Sequence, residues 1–185
     1  THTRGPPTRG WAAHNGDNGK KDSADPFSSG DGRVVAFDSL ATNLTAGDAN
    51  SGCLSPGGAN INCSDVFIKN LESGETRLVS ATGTGVQGNR ESEHPAISAN
   101  GRFVAFRSGA GNLVAVDSNG KTAVFLKDMQ AGSVTIAAVT ADGTEGDCTA
   151  TDPGIPAARR YVAFRSTEHH LAPVPSHRTP AVLPT

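Results

Sequence analysis

One phrase occurs three times along the chain: Val34-Val35-Ala36-Phe37, Phe103-Val104-Ala105-Phe106 and Tyr161-Val162-Ala163-Phe164. A repeat constrains a fold more than any single motif, because it implies one small unit used several times over. The closing Phe residues of the three copies lie 69 and then 58 positions apart. Phe67 and Phe125, however, each stand 39 residues before the next closing Phe. The irregularity therefore falls between Phe37 and Phe67, where the first copy carries 11 additional residues, and the underlying period is 58.

Other landmarks keep the same phase. Pro26, Pro95 and Pro153 each open a short segment, followed in the first two copies by Gly30-Asp31-Gly32-Arg33 and Ala99-Asn100-Gly101-Arg102. Asp-Gly and Asn-Gly mark hairpins, because Gly and Asn tolerate the positive φ of tight turns. The third copy has Ala157-Ala158-Arg159-Arg160 there and lacks the signal. Asn43-Leu44 and Asn112-Leu113 come next, then Asp48 and Asp117, each 11 residues past the closing Phe. A third strand is expected at 65–70 and 123–128, a turn at 72–75 and 130–133, and a fourth strand at 76–81 and 134–140. In the third strand Val66 and Ile68 alternate with Phe67 and Lys69, the period-two pattern of a strand with two distinct faces.

The unit is thus four short antiparallel strands, and the fold class is all-β. The composition agrees: 22 Gly, 11 Pro and 18% charged residues disfavour long helices and suit short strands joined by turns. The seven Phe residues all fall on expected strands, which assigns them to packing between neighbouring sheets. Gly16 and Gly19 lie 69 before Gly85 and Gly88, so the pattern reaches back past the first copy. Residues 8–13, with Trp11, then read as the last strand of a preceding unit.

The pattern P-x-[IF]-S-x-[DN]-G-R-x-V-A-F-x-S, with the following N-L, D-x-N and [VD]-F-[IL]-K-[ND], resembles the TolB-like, WD-repeat-related β-propeller repeat of bacterial envelope and secreted proteins. The resemblance covers roughly residues 16–172. It implies four-stranded propeller-type blades at about 26–82 and 95–140 and a partial blade at 153–172, flanked by a tail over 1–15 and a Pro-rich tail over 173–185. The third copy departs from it, with Pro175 where Asp48 and Asp117 stand in the others. A propeller ring ordinarily closes with four to eight blades. Two and a half blades imply a piece of a longer protein, a subunit completing a ring with copies of itself, or a stack capped in another way. The resemblance also implies a secreted or periplasmic, bacterial location.

A formal charge of −2 provides no clustered basic surface for nucleic acid, and no apolar run approaches the ~20 residues that span a bilayer. Cys53 and Cys63 bracket the inserted loop at a spacing suited to a disulfide in an oxidising compartment, or stand there as two exposed thiols; Cys148 is left over.

Among chemistry-bearing residues, Asp48-Ala49-Asn50 and Asp117-Ser118-Asn119 offer oxygens two apart on a turn. Asp48, Asn50, Asp65, Asp117 and Asn119 are therefore the candidate ligands for Ca²⁺, a hard ion that takes several oxygens. The alternative is that these side chains cap their own turns. Phe37-Asp38-Ser39-Leu40 resembles an esterase nucleophile block with Phe in place of Gly, and His94 lies in an acidic connection, so Ser39 and His94 are the candidates for a catalytic pair. Recurrence argues otherwise for the serine, since the same position reads Phe106-Arg107-Ser108 and Phe164-Arg165-Ser166.

The functional expectation is a non-catalytic binding or scaffold module that presents loops to a protein or glycan partner, with the Cys53–Cys63 loop as the contact. A hydrolase, or the propeller part of one, is the alternative. A lesser one is a subunit that assembles with further copies of itself.

Overall fold

In the computed structural model of the protein, residues 22–46, 48, 50–54, 58, 60–115, 120–139, 149–156, 161–167 and 181–184 are described. Asp117, Asn119, Cys148 and the strand expected at 8–13 lie outside them.

The first unit forms a sheet of β1 (Ser23–Ser28), β2 (Val34–Ser39), β5 (Asp65–Asn70) and β6 (Thr76–Leu78), in that spatial order. The second repeats it with β7 (Ser92–Ile97), β8 (Phe103–Ser108), β9 (Ala123–Asp128) and β10 (Val134–Ile136). All neighbouring strands are antiparallel, so each sheet is a four-stranded meander, a propeller-type blade. The third sheet has three strands, β11 (Ala150–Gly154), β12 (Tyr161–Ser166) and β13 (Ala181–Pro184). The last lies inside the stretch expected to be a Pro-rich tail. The inserted residues form a separate two-stranded sheet, β3 (Ser51–Leu54) with β4 (Asn60–Asn62). No helix among the described residues is long and apolar enough to cross a membrane.

The turns repeat down to the atom. Ser29 Oγ donates to Asp31 Oδ1 and accepts from the Val34 N–H, and Ser98 Oγ does the same with Asn100 Oδ1 and the Phe103 N–H. Gly32 and Gly101 carry φ of 70° and 72°, the left-handed conformation that Asp-Gly and Asn-Gly signal. A second repeated device is a bulge in the first strand of each blade, where the register shifts after Ala24, Glu93 and Thr151. The residue before each proline, Asp25, His94 or Asp152, has a positive φ of 46°, 51° or 51°. Asp and His are among the side chains that enter this region most readily.

Phe37 faces Phe67 across β2 and β5, as Phe106 faces Phe125 across β8 and β9, with ring centroids 5.7 and 5.8 Å apart. The core between blades 1 and 2 joins Val66, Ile68 and Val79 of one to Ile97, Val104 and Phe106 of the other. Between blades 2 and 3 it joins Val124 and Ala105 to Val162 and Phe164. Not every Phe packs between sheets as expected. Phe27 is 52% exposed, beyond the bulge and outside the core clusters, although its counterpart Ala96 is buried; Tyr161 is 40% exposed.

Candidate functional site

The insertion stands apart from the repeated frame. Cys53 and Cys63 are joined by a disulfide with their Cα atoms 5.1 Å apart, so the hairpin is closed at its base. Its root is held to the connection leaving blade 1: Asn50 Nδ2 donates to the Gly88 carbonyl at 3.0 Å. Cys53 Sγ touches Glu91 Oε2 at 3.6 Å; a disulfide sulfur has no hydrogen to donate, so this is contact without a hydrogen bond.

Between this hairpin and the entry edges of blades 1 and 2 lies a pocket of about 440 Å³. Its walls mix Leu40, Ile61 and the Cys53 end of the disulfide with four carboxylates, Asp22, Asp38, Glu91 and Glu93. Asp38 is only 8% exposed; its Oδ2 accepts from Ser64 Oγ at 3.4 Å, and its Oδ1 has no hydrogen-bond partner among the described residues. Burial pushes the Asp38 carboxyl up to about 6, the charges of Asp25 and Glu93 add to the shift, and the backbone N–H of His94 opposes it.

The repeat gives this pocket its electrostatic character. Asp38 follows the closing Phe of blade 1, where blades 2 and 3 have Arg107 and Arg165. Arg107 Nη1 lies 3.6 Å from Glu93 Oε2, and Arg165 Nη1 donates to Asp152 Oδ2 at 3.0 Å, so each Arg meets an acid on the first strand of its own blade. In blade 1 the residue opposite Asp38 is Ala24. An acid stands where the other blades place a cation.

A second cluster lies at the hairpin root, half-buried at Asp48, Asn50 and Gln87 and fully buried at Asp65 and Ser80. Gln87 Nε2 donates to Asp48 Oδ1 and to Asp65 Oδ2, both at 2.8 Å, and Ser80 Oγ donates to Asp65 Oδ1 at 2.7 Å. The Asn50 side chain lies close enough to Asp65 to oppose the rise of its carboxyl. The structure therefore brings the candidate ligands Asp48, Asn50 and Asp65 together, with Gln87, a residue not anticipated, at the centre. Burial raises the Asp65 carboxyl to about 7 and also raises Asp48. Among the described residues no group of three or more His, Cys, Asp or Glu is placed to hold a metal ion. Asp48 Oδ1 and Asp65 Oδ2 converge, but the Gln87 amide hydrogens stand between them. A Ca²⁺ ion there would require the amide to turn and present its oxygen.

Ser39 Oγ donates to the Asp22 carbonyl at 3.0 Å and accepts from Ser23 Oγ and the Ala41 N–H. Ser108 repeats this bond for bond with the Glu91 carbonyl, Ser92 Oγ and the Ala110 N–H. Both serines clasp the first and second strands of their blades. His94 sits on the blade 2 bulge, with Nε2 3.4 Å from Oδ2 of Asp25 on the blade 1 bulge. The bonds described for Ser39 run to Asp22, Ser23 and Ala41 and the contact of the His94 ring runs to Asp25, so they do not bring the two side chains together.

No protein-family model and no curated protein sequence matches the chain. Solved structures similar to it include the β-propeller domain of the Trilobed protease from Pyrococcus furiosus, at 16% identity over 80% of this chain and 34% of that one, TM-score 0.47. The acylaminoacyl peptidase of Pyrococcus horikoshii is similar at 14% identity over 79% and 17%, TM-score 0.44. TolB from Acinetobacter baumannii is similar at 16% identity over 89% and 41%, TM-score 0.44. The chain thus spans about a third of the length of the first of these.

Proposed function

We propose that the chain is an extracytoplasmic, propeller-type binding module that presents the Cys53–Cys63 hairpin and the acidic pocket beneath it to a protein partner. One observation carries this reading. The hairpin is a sheet of its own, closed by a disulfide, inserted in one blade and absent from the matching connection of the next. The repeat folds without it, and a closed hairpin on a rigid sheet frame is a form in which binding loops are commonly held. A disulfide favours an oxidising, secreted or periplasmic setting. The four carboxylates favour a protein carrying basic side chains over a neutral glycan.

The test is selection of a displayed random-peptide library on the 185-residue chain, counter-selected on a variant lacking residues 52–62 and carrying Cys63→Ala. Peptides enriched on the parent chain and not on the variant are expected. Enrichment of the same peptides on both forms, with circular dichroism showing both folded, would overturn the reading, as would retention of neutral oligosaccharides in place of peptides.

A further inference from the structure

We propose that the pocket between blades 1 and 2 receives an arginine side chain of the partner protein, which supplies from outside the guanidinium that the repeat supplies internally in blades 2 and 3. The inference rests on the binding-module reading and specifies what the site binds.

Three independent features support it. The first is the in-phase substitution: Arg107 and Arg165 each lie against an acid of their own blade, whereas Asp38 occupies that position in blade 1 opposite Ala24. The second is the unmet bonding capacity of a buried group. Asp38 lines the pocket, is more than nine-tenths buried, and has one oxygen, Oδ1, with no hydrogen-bond partner among the described residues. A buried, unpartnered carboxylate oxygen is costly, and a charge-assisted bond removes that cost. The third is shape. A pocket of about 440 Å³ is far larger than a bare ion needs, and its apolar side, Leu40 and Ile61, suits the methylene stem of a long basic side chain whose head reaches the acids. Arginine suits the site better than lysine, because its planar fork can meet two carboxylates at once and is the residue the repeat itself uses here. Glu93 is already engaged by Arg107, which leaves Asp22, Asp38 and Glu91 to receive the incoming charge.

The experiment is a two-dimensional NMR titration of the full chain with N-acetyl-arginine amide, with N-acetyl-citrulline amide as the neutral isostere, and with spermidine and CaCl₂ as separate arms. Arginine amide is expected to shift the amides of Leu40, Ile61, Ser64 and Glu91, and citrulline amide to leave them in place. Asp38→Asn is expected to weaken the arginine response about tenfold. Asp38→Arg, which installs the repeat's own residue, is expected to abolish it while keeping the spectrum of a folded chain. Equal response to citrulline, or an unchanged response in both Asp38 variants, overturns the proposal. Saturation of the same amides by CaCl₂ or spermidine at lower concentration than by arginine amide overturns it too, by making the pocket a metal or free-polyamine site. If selected peptides bind Asp38→Arg as well as the parent but lose affinity for the hairpin deletion, the pocket assignment fails and the binding-module reading stands.

Discussion

Gln87 donates from Nε2 to Asp65 Oδ2 over 2.8 Å, tying the connection that leaves blade 1 to the first residue of β5. The same nitrogen reaches Asp48 Oδ1. One amide thus lies between two carboxyls that burial has raised above their ordinary range, Asp65 to about 7.

A pH dependence follows. In the unfolded chain these carboxyls lose their protons near pH 4. In the folded chain Asp65 holds its proton to about 7 and Asp38 to about 6. Between those limits the folded state binds more protons, so stability falls as pH rises and levels off above about 7. Asp128, held well below the ordinary range by Arg102, is ionised throughout this window and does not reverse the sign. The denaturant midpoint is expected to be higher at pH 5 than at pH 7.5. Asp65→Asn should flatten the difference, and a midpoint that rises with pH would contradict the assignment.

The calcium proposal for Asp48, Asn50 and Asp65 is decided by the orientation of Gln87. Gln87→Glu removes the donating amide and places a third carboxyl beside the other two. We expect millimolar CaCl₂ to raise the melting temperature of Gln87→Glu by several degrees and to act less on the parent. An equal rise in the parent would show that the native amide already turns its oxygen toward the ion.

Reduction of the disulfide should loosen the hairpin and leave the blades intact, because among the described strands β3 and β4 pair only with each other. A closed loop of this size contributes on the order of 2–3 kcal/mol in the chain-entropy view. Amide exchange is expected to accelerate at 51–62 under reductant, with the amides of β5 and β8 unchanged. Loss of protection across both blades would show the hairpin to be part of the core.

Phe67→Ala should destabilise by about 3–5 kcal/mol, since it empties a fully buried site stacked on Phe37. Phe27→Ala, at an exposed position, should cost well under 1 kcal/mol. Equal losses in thermal melts would contradict the described packing.

The blades were legible because their signals are local. The phrase ending in Phe37, Phe106 and Phe164 and the Asp-Gly and Asn-Gly turns each sit within one hairpin, and the 58-residue phase aligns them from copy to copy. The disulfide could be read from the position of Cys53 and Cys63 around the insertion. What escaped depends on partners distant in sequence or on backbone detail. Gln87 reaches its carboxylates from 39 and 22 residues away, and nothing in its neighbourhood announces this. The bulges at Asp25, His94 and Asp152 hide in residues that ordinary strands also use before proline. The pocket did leave a trace: Asp38 against Arg107 and Arg165 in phase is a charge reversal visible in the aligned copies, and it gains meaning once Arg107 is seen to meet Glu93 and Arg165 to meet Asp152, while Asp38 stands opposite Ala24.

The inserted hairpin is proposed as a binding element. Its most direct test is the affinity of one selected peptide for the parent chain and for the chain lacking residues 52–62, measured by calorimetry on samples shown to be folded. At least a tenfold loss is expected in the deletion; equal affinity would rule the hairpin out as a binding element.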